Sequence, residues 1–229
     1  MNCVHSRLIK IFLILLVTIF LLSLTSNDNK TVYNSNAKNQ NKIALTFDDG
    51  PHPKITPKIL DLLNKYDIKA TFFVIGVNVD NYPEPLKRAA LEGHEIGNHT
   101  VSHSILKSMN KDKIFDEING CEEKILNLLG VKSRILRPPC GIYDDTLVKI
   151  ANEKDYKIIL WNIDTHDWAH KTTNDIVKTV SRSIKGGDII LCHDYISGEN
   201  HTIEALEILI PMLINNGYEF VTVSQLLQD

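Results

Sequence analysis

Two adjacent carboxylates, Asp48 and Asp49, end the strand-like run Lys42 to Phe47 and are followed by Gly50 and Pro51. Paired acids repel, and burying them is costly unless a positive or protonated group lies close. Asp, Gly and Pro are also ordinary turn residues, so the pair alone reads equally well as a surface turn. Farther along, His99 and His103 stand four apart in Asn98-His99-Thr100-Val101-Ser102-His103. Neutral imidazole is a common metal ligand, and two such groups can chelate from one tight loop with a carboxylate as third donor. Asp49 is the candidate for that third position. An isolated His-x-x-x-His is more often a surface or capping pair, and His52 and His94 have no comparable argument. Two His and one Asp would leave positions open for water and substrate, as catalytic sites do.

Three further stretches carry chemistry. Arg137 precedes Pro138-Pro139-Cys140-Gly141, where the prolines fix the chain and the guanidinium could pair with a carboxylate. In Trp161-Asn162-Ile163-Asp164-Thr165-His166-Asp167-Trp168, alternation sets Asn162 and Asp164 on one face and Trp161 and Ile163 on the other. Leu191 and His193 share a face in Ile189-Ile190-Leu191-Cys192-His193, with Cys192 opposite. A histidine that ends a buried strand is either a capped core residue or an acid–base group.

The elements that would position these residues alternate between strand-like and helix-like. Strands are expected over 42–47, 69–75, 95–98, at 135–136, and over 157–163, 188–193 and 219–223. Helices are expected after Thr56, read as an N-cap with Pro57 in the first turn, and over 83–92, closed by Gly93. Others run from Asn110 to Gly130, over 145–153, after Thr173 or Asn174, over 201–215, and for one turn capped by Ser224. This pattern predicts a parallel α/β architecture, either a small barrel or an open doubly wound sheet. Asp48 and Asp49, the two histidines, Arg137, Asp164 with Asp167, and His193 then all fall at strand ends, where α/β folds place their sites.

The 229 residues, 43% hydrophobic, suit one globular domain, and a net charge of -3 without a basic block excludes a nucleic-acid footprint. No Gly-x-Gly-x-x-Gly follows the first strand and no P-loop occurs, which argues against nucleotide binding. Cys3, Cys121, Cys140 and Cys192 form neither a disulfide framework nor a Cys-x-x-Cys site. Residues 1–26 hold Arg7, Lys10 and an apolar run from Ile11 to Leu24, read as a signal peptide or membrane anchor that meets the membrane or the export machinery. Residues 27–41 are Asn-rich and read as a flexible linker, leaving 42–229 as the catalytic domain, outside the cytoplasm.

With these motifs in order, the sequence resembles the polysaccharide deacetylase family, the NodB-like domains of carbohydrate esterase family 4, from Lys42 to about Leu227. Thr46-Phe47-Asp48-Asp49-Gly50 matches its first motif, which implies Asp48 as general base and Asp49 as metal ligand. The His99 to His103 segment matches the second, implying both histidines as ligands. Arg137-Pro138-Pro139-Cys140-Gly141 matches the third, with the arginine holding the base. Asp164-Thr165-His166-Asp167-Trp168 resembles the fourth, from which Asp164 is expected to orient the catalytic histidine and Trp168 to wall the acetyl pocket. Leu191-Cys192-His193 resembles the fifth, implying Leu191 as pocket lining and His193 as general acid. Cys140 stands where the family has Tyr, in a residue whose backbone N–H helps bind the oxyanion.

The resemblance implies an irregular (β/α)7 barrel, one divalent metal ion with Zn2+ first and Co2+ or another first-row ion as alternatives, and an N-acetylated glycan as substrate. Peptidoglycan leads, at N-acetylglucosamine or N-acetylmuramic acid. Chitooligosaccharide, exopolysaccharide or O-acetyl-xylan are the alternatives, then an inactive glycan-binding homologue. A monomer is the default expectation.

Overall fold

The computed structural model describes residues 31–36, 41–195, 198 and 201–228. The expected export segment, residues 1–26, lies outside these. Among the described residues no helix is long and apolar enough to cross a membrane.

Among the described residues, nine short strands form one sheet: β1 (Val32–Tyr33), β2 (Lys42–Asp48), β3 (Thr71–Val74), β4 (Glu95–Asn98), β5 (Ile135–Leu136), β6 (Lys157–Ile159), β7 (Ile163–Asp164), β8 (Ile189–His193) and β9 (Glu219–Phe220). Their order is β1-β6-β5-β4-β3-β2-β8-β7, with β9 beside β2, and every pairing is parallel. Helices follow as α1 (Ile55–Lys65), α2 (Gly76–Asn81), α3 (Pro83–Leu91), α4 (Lys111–Leu129), α5 (Asp145–Glu153), α6 (Thr173–Ser183), α7 (Thr202–Asn215) and α8 (Val223–Gln228). The sheet curls without closing, which is the irregular barrel expected from the sequence.

Alternation along the strands sorts the core. Ile43, Leu45 and Phe47 of β2, Phe72 and Val74 of β3, and Ile190 and Cys192 of β8 pack outward with α1, α6 and α7. Ala44, Phe73, Ile135, Ile159 and Ile189 cluster apart from them, together with Val221, Val223 and Leu226 of the C-terminal segment. A third cluster joins Leu136 and Ile158 to Ile114, Ile118, Leu147 and Ile150 of α4 and α5. Parallel register pairs Ala44 with Ile189, Thr46 with Leu191 and Asp48 with His193. One face therefore turns from apolar to polar along the strand direction.

Several local expectations are corrected. The run 157–163 is not one strand. Its halves, β6 and β7, lie toward opposite ends of the sheet order, so Leu160 to Asn162 cross the gap as chain rather than as a ladder. Helix α1 starts at Ile55 because His52 Nδ1 accepts from the backbone N–H of Lys54 and of Ile55. Thr56, expected as the cap, is buried, accepts from His52 N at 2.8 Å and donates to Asp194 Oδ2 at 2.5 Å. Helix α2 was not expected. Thr172 caps α6. At α8, Thr222 Oγ1 accepts from Gln225 N and Gln225 Oε1 accepts from Thr222 N, a capping box, while Ser224 bonds Glu95. Asn110 and Gly130 bound α4 as expected: Asn110 Oδ1 accepts from Lys113 N, and Gly130 has φ 70°.

Residues 31–36, expected within the linker, are docked on the domain. Val32 and Tyr33 pair with Ile158 and Ile159, Ser35 bridges Asp188, and Asn36 N–H donates to Gly187 O while its side chain donates to Leu226 O. The segment thus runs from β6 to the start of β8, across the opening of the curled sheet. A chain beginning at residue 41 should be less stable than one beginning at 31 by about 2 kcal/mol or more, at about 1 kcal/mol for each net hydrogen bond lost. Thermal denaturation should show this as a Tm lower by roughly 4–8 °C. Equal Tm values would mean that the segment contributes nothing to the barrel.

Candidate active site

The strand ends deliver the polar residues to one cleft of about 380 Å³, lined by Asp48, Asp49, His99, His103, Cys140, Trp161, Asp164, Trp168, Leu191 and His193. All ten residues expected at the site lie here or, for Arg137, directly behind it.

Arg137 is 0% exposed. A buried guanidinium needs its donors satisfied and its charge balanced. Nη1 donates to Asp48 Oδ1 at 2.8 Å and Thr46 Oγ1 at 2.7 Å, Nη2 to Leu160 O, and Nε to Ile159 O. The cation also lies over the Phe73 ring, 4.1 Å from its centroid. Thr46 in turn donates to Ile190 O. Asp48 is therefore held through one oxygen, while its Oδ2 stands 3.7 Å from His99 Nε2.

Asp49 follows with φ 75°, a left-handed conformation that turns the second carboxylate away from the first. Its Oδ1 lies 3.4 Å from His99 Nε2 and 3.3 Å from His103 Nε2. This oxygen is buried and has no hydrogen-bond partner. His99 is buried, with Nδ1 2.7 Å from Arg137 O, so Nδ1–H donates there and Nε2 keeps its lone pair facing Asp49. One donor atom from each of Asp49, His99 and His103 falls within 4.8 Å of the others. An orphaned carboxylate oxygen facing two imidazole nitrogens is the donor set of a divalent cation, and the three residues form a candidate site for one. Burial works against the charge on Asp49, but when protons rather than a cation occupy the imidazole nitrogens, the His99 contact and the charges of His99, His103 and His193 hold its carboxyl below the ordinary range.

His193 is oriented by Asp167, which corrects the role expected for Asp164. His193 Nδ1 lies 2.7 Å from Asp167 Oδ1, and Asp167 Oδ2 accepts from His193 N and from Thr202 Oγ1. Asp164 does end β7 opposite Leu191. There its Oδ1 accepts from His166 N at 2.8 Å and from Trp168 Nε1 at 3.3 Å, so it tethers the half-exposed indole instead. The chain turns at His166, φ 55°, into a short 3-10 turn over Asp167–Ala169, and that turn carries Asp167 back to β8. Burial disfavours charge on His193, but the Asp167 hydrogen bond and charge, with Asp48 and Asp49 behind them, raise its pKa to about 9.

Trp161, Thr46 and Thr202 were not expected at the site. The alternation that placed Trp161 opposite Asp164 was available, but the break in the strand was not. Cys140 is exposed with φ 56° at the cleft edge, whereas Cys121 and Cys192 are buried, and burial lifts the Cys121 thiol to about 12. In a chain beginning at residue 31, iodoacetamide should therefore label Cys140 alone under native conditions, with activity falling in parallel. Labelling without loss of activity would place the thiol away from the substrate.

The profile of the polysaccharide deacetylase family matches residues 35–159. A peptidoglycan-N-acetylglucosamine deacetylase of Bacillus cereus is 42% identical over 193 residues, covering 83% of this chain and 90% of that protein. The peptidoglycan-N-acetylmuramic acid deacetylase PdaC of Bacillus subtilis is 39% identical over 188 residues, covering 82% of this chain and 39% of that one. The crystal structure of the Bc1960 peptidoglycan N-acetylglucosamine deacetylase superposes with a TM-score of 0.84 at 37% identity, covering 87% of this chain and 94% of the other. The chain belongs to the polysaccharide deacetylase family, that of the NodB-like, carbohydrate esterase family 4 domains.

Proposed function

We propose that this protein is a metal-dependent N-deacetylase of peptidoglycan-type glycans, exported, and acting on N-acetylglucosamine or N-acetylmuramic acid residues. The observation that carries the reading is the placement of the orphaned Asp49 oxygen and two imidazoles beside a carboxylate held by Arg137, Asp48, and an imidazole held by Asp167, His193.

A divalent ion held by Asp49, His99 and His103, with Zn2+ first and Co2+ second for these ligands, would polarise the acyl oxygen and acidify a water. Asp48, fixed by Arg137, receives the proton of the attacking water on the oxygen that faces the cleft. His193, kept charged by Asp167, donates a proton to the departing amine nitrogen, so that acetate and a free amine result. Cys140 supplies a backbone N–H at the cleft edge for the developing oxyanion, where one donor contributes about 3 kcal/mol. Leu191 and Trp168 wall the acyl pocket, with Asp164 holding the indole.

Acetate release measured on peptidoglycan, chitooligosaccharides and acetylated xylan, with and without chelation of the metal, tests the reading. Release from peptidoglycan that stops on chelation and returns with Zn2+ or Co2+ is expected. Preference for xylan would favour an O-acetyl esterase, and no release from any substrate by metal-loaded protein would favour a glycan-binding homologue.

A further inference from the structure

We infer that Glu117 is a positioning residue for the metal site, clamping the turn that carries His103; the inference rests on the metal reading above. The two histidine ligands are secured differently. His99 is buried and its ring is fixed by Arg137 O. His103 is 36% exposed at its side chain, and its ring meets Asp49 with no such backbone anchor on the ring. Its position depends on the turn from Thr100 to His103, and that turn is strained. Thr100 has φ 69°, a conformation that a β-branched residue adopts only when its surroundings enforce it, and His103 has φ 60°.

Glu117, midway along α4, provides the enforcement. Its Oε2 accepts from Val101 N and Ser102 N, both at 3.0 Å, its Oε1 accepts from Ser102 Oγ at 2.6 Å, and its backbone O shares the Val101 N–H at 3.0 Å, so only the Ser102 bonds depend wholly on the side chain. Bonds from backbone N–H to a carboxylate are stronger than neutral ones. From the other side, Gly76 N and Val77 N donate to Thr100 O and Val101 O. Gly120, one turn along α4 from Glu117, completes the seat: a Cβ there would stand 2.6 Å from Val101 Cγ2. Glycine inside a helix costs about 1 kcal/mol relative to alanine. Glu117 and Gly120 together therefore read as a dock for Val101 and Ser102, built at some expense to the helix.

The test is metal affinity rather than turnover, measured by competition of Co2+ or Zn2+ with a chelating dye, for wild type, Glu117→Ala, Glu117→Gln, His103→Ala and the double variant Glu117→Ala/His103→Ala. Removing an outer support of a metal ligand typically weakens binding 10- to 100-fold, so Glu117→Ala should lose about 10-fold or more. Glutamine can still accept from both amides and donate to Ser102 Oγ, so Glu117→Gln should stay within about 3-fold of wild type. In the His103→Ala background the alanine change should add less than about 3-fold, because the support then has nothing to position. Glu117→Asp, which retracts the carboxylate, replaces the alanine variant if that variant does not fold. An unchanged affinity in Glu117→Ala, or a full-sized loss even without His103, would overturn the clamp. Wild type that binds no metal would overturn the metal reading itself, a result distinguishable from a bound wild type with an unaffected variant.

Discussion

Asp48→Asn should lower kcat for acetate release by about a thousandfold while metal content stays at the wild-type level. A positioned acid–base group contributes roughly 10²- to 10⁴-fold to a rate, and Asp48 is the carboxylate of the cleft that no imidazole pair claims. Its Oδ1 is taken by Arg137 at 2.8 Å, and the metal donor set is Asp49, His99 and His103. Asparagine preserves an acceptor for Arg137 but cannot take a proton from water. It also leaves a fully buried guanidinium without its counter-charge, and breaking such a pair costs about 3–5 kcal/mol. Part of the variant's deficit would therefore appear as a lower Tm, and kcat must be measured below it. His99→Ala should show the converse pattern, with metal lost in proportion to activity. If both variants lose metal equally, the two adjacent acids do not divide the work.

That division is what the family resemblance implies; strand alternation places Asp48 with Ala44 and Thr46, but Asp49 lies past the strand end at φ 75°, where no two-residue period applies. Strand alternation also paired Leu191 with His193 correctly, and helix signals bounded α4 at Asn110 and Gly130. The failures begin where periodicity ends. Asp164 sits at the last strand position and does face the cleft, but the residue that reaches His193 lies three further on, past a left-handed His166. No two-residue period extends through such a turn. Thr56 carries the composition of a helix cap, yet its hydroxyl is taken by His52 N, four residues before it, and by Asp194, which is distant in sequence. Residues 31–36 look like linker because backbone hydrogen bonds, which leave no mark in side-chain pattern, attach them to β6 and β8. Glu117 was invisible for a related reason: on its own helix it is one more acid off the apolar face.

Asp167→Asn should move the alkaline limb of the kcat/KM profile down by about two pH units, and Asp164→Asn should leave it in place. His193 must hold its proton to protonate the leaving amine, so activity is present below its pKa and lost as pH rises through it. Burial alone would hold that pKa under the ordinary 6.5, and the Asp167 hydrogen bond and charge carry it to about 9. Asparagine removes the charge and presents one oxygen where the carboxylate used two, toward His193 Nδ1, His193 N and Thr202 Oγ1. Burial then counts for more and the imidazole loses its proton nearer neutrality, so that with the limb moved from about 9 by two units kcat/KM at pH 8 should fall about tenfold. A bound divalent cation lowers the pKa in both proteins alike, so the difference between their limbs survives metal loading. Asp164→Asn acts elsewhere. It loosens Trp168 at the pocket wall, and its signature should be a raised KM with the limb unmoved. A limb that shifts in Asp164→Asn and stays fixed in Asp167→Asn would return the orienting role to Asp164.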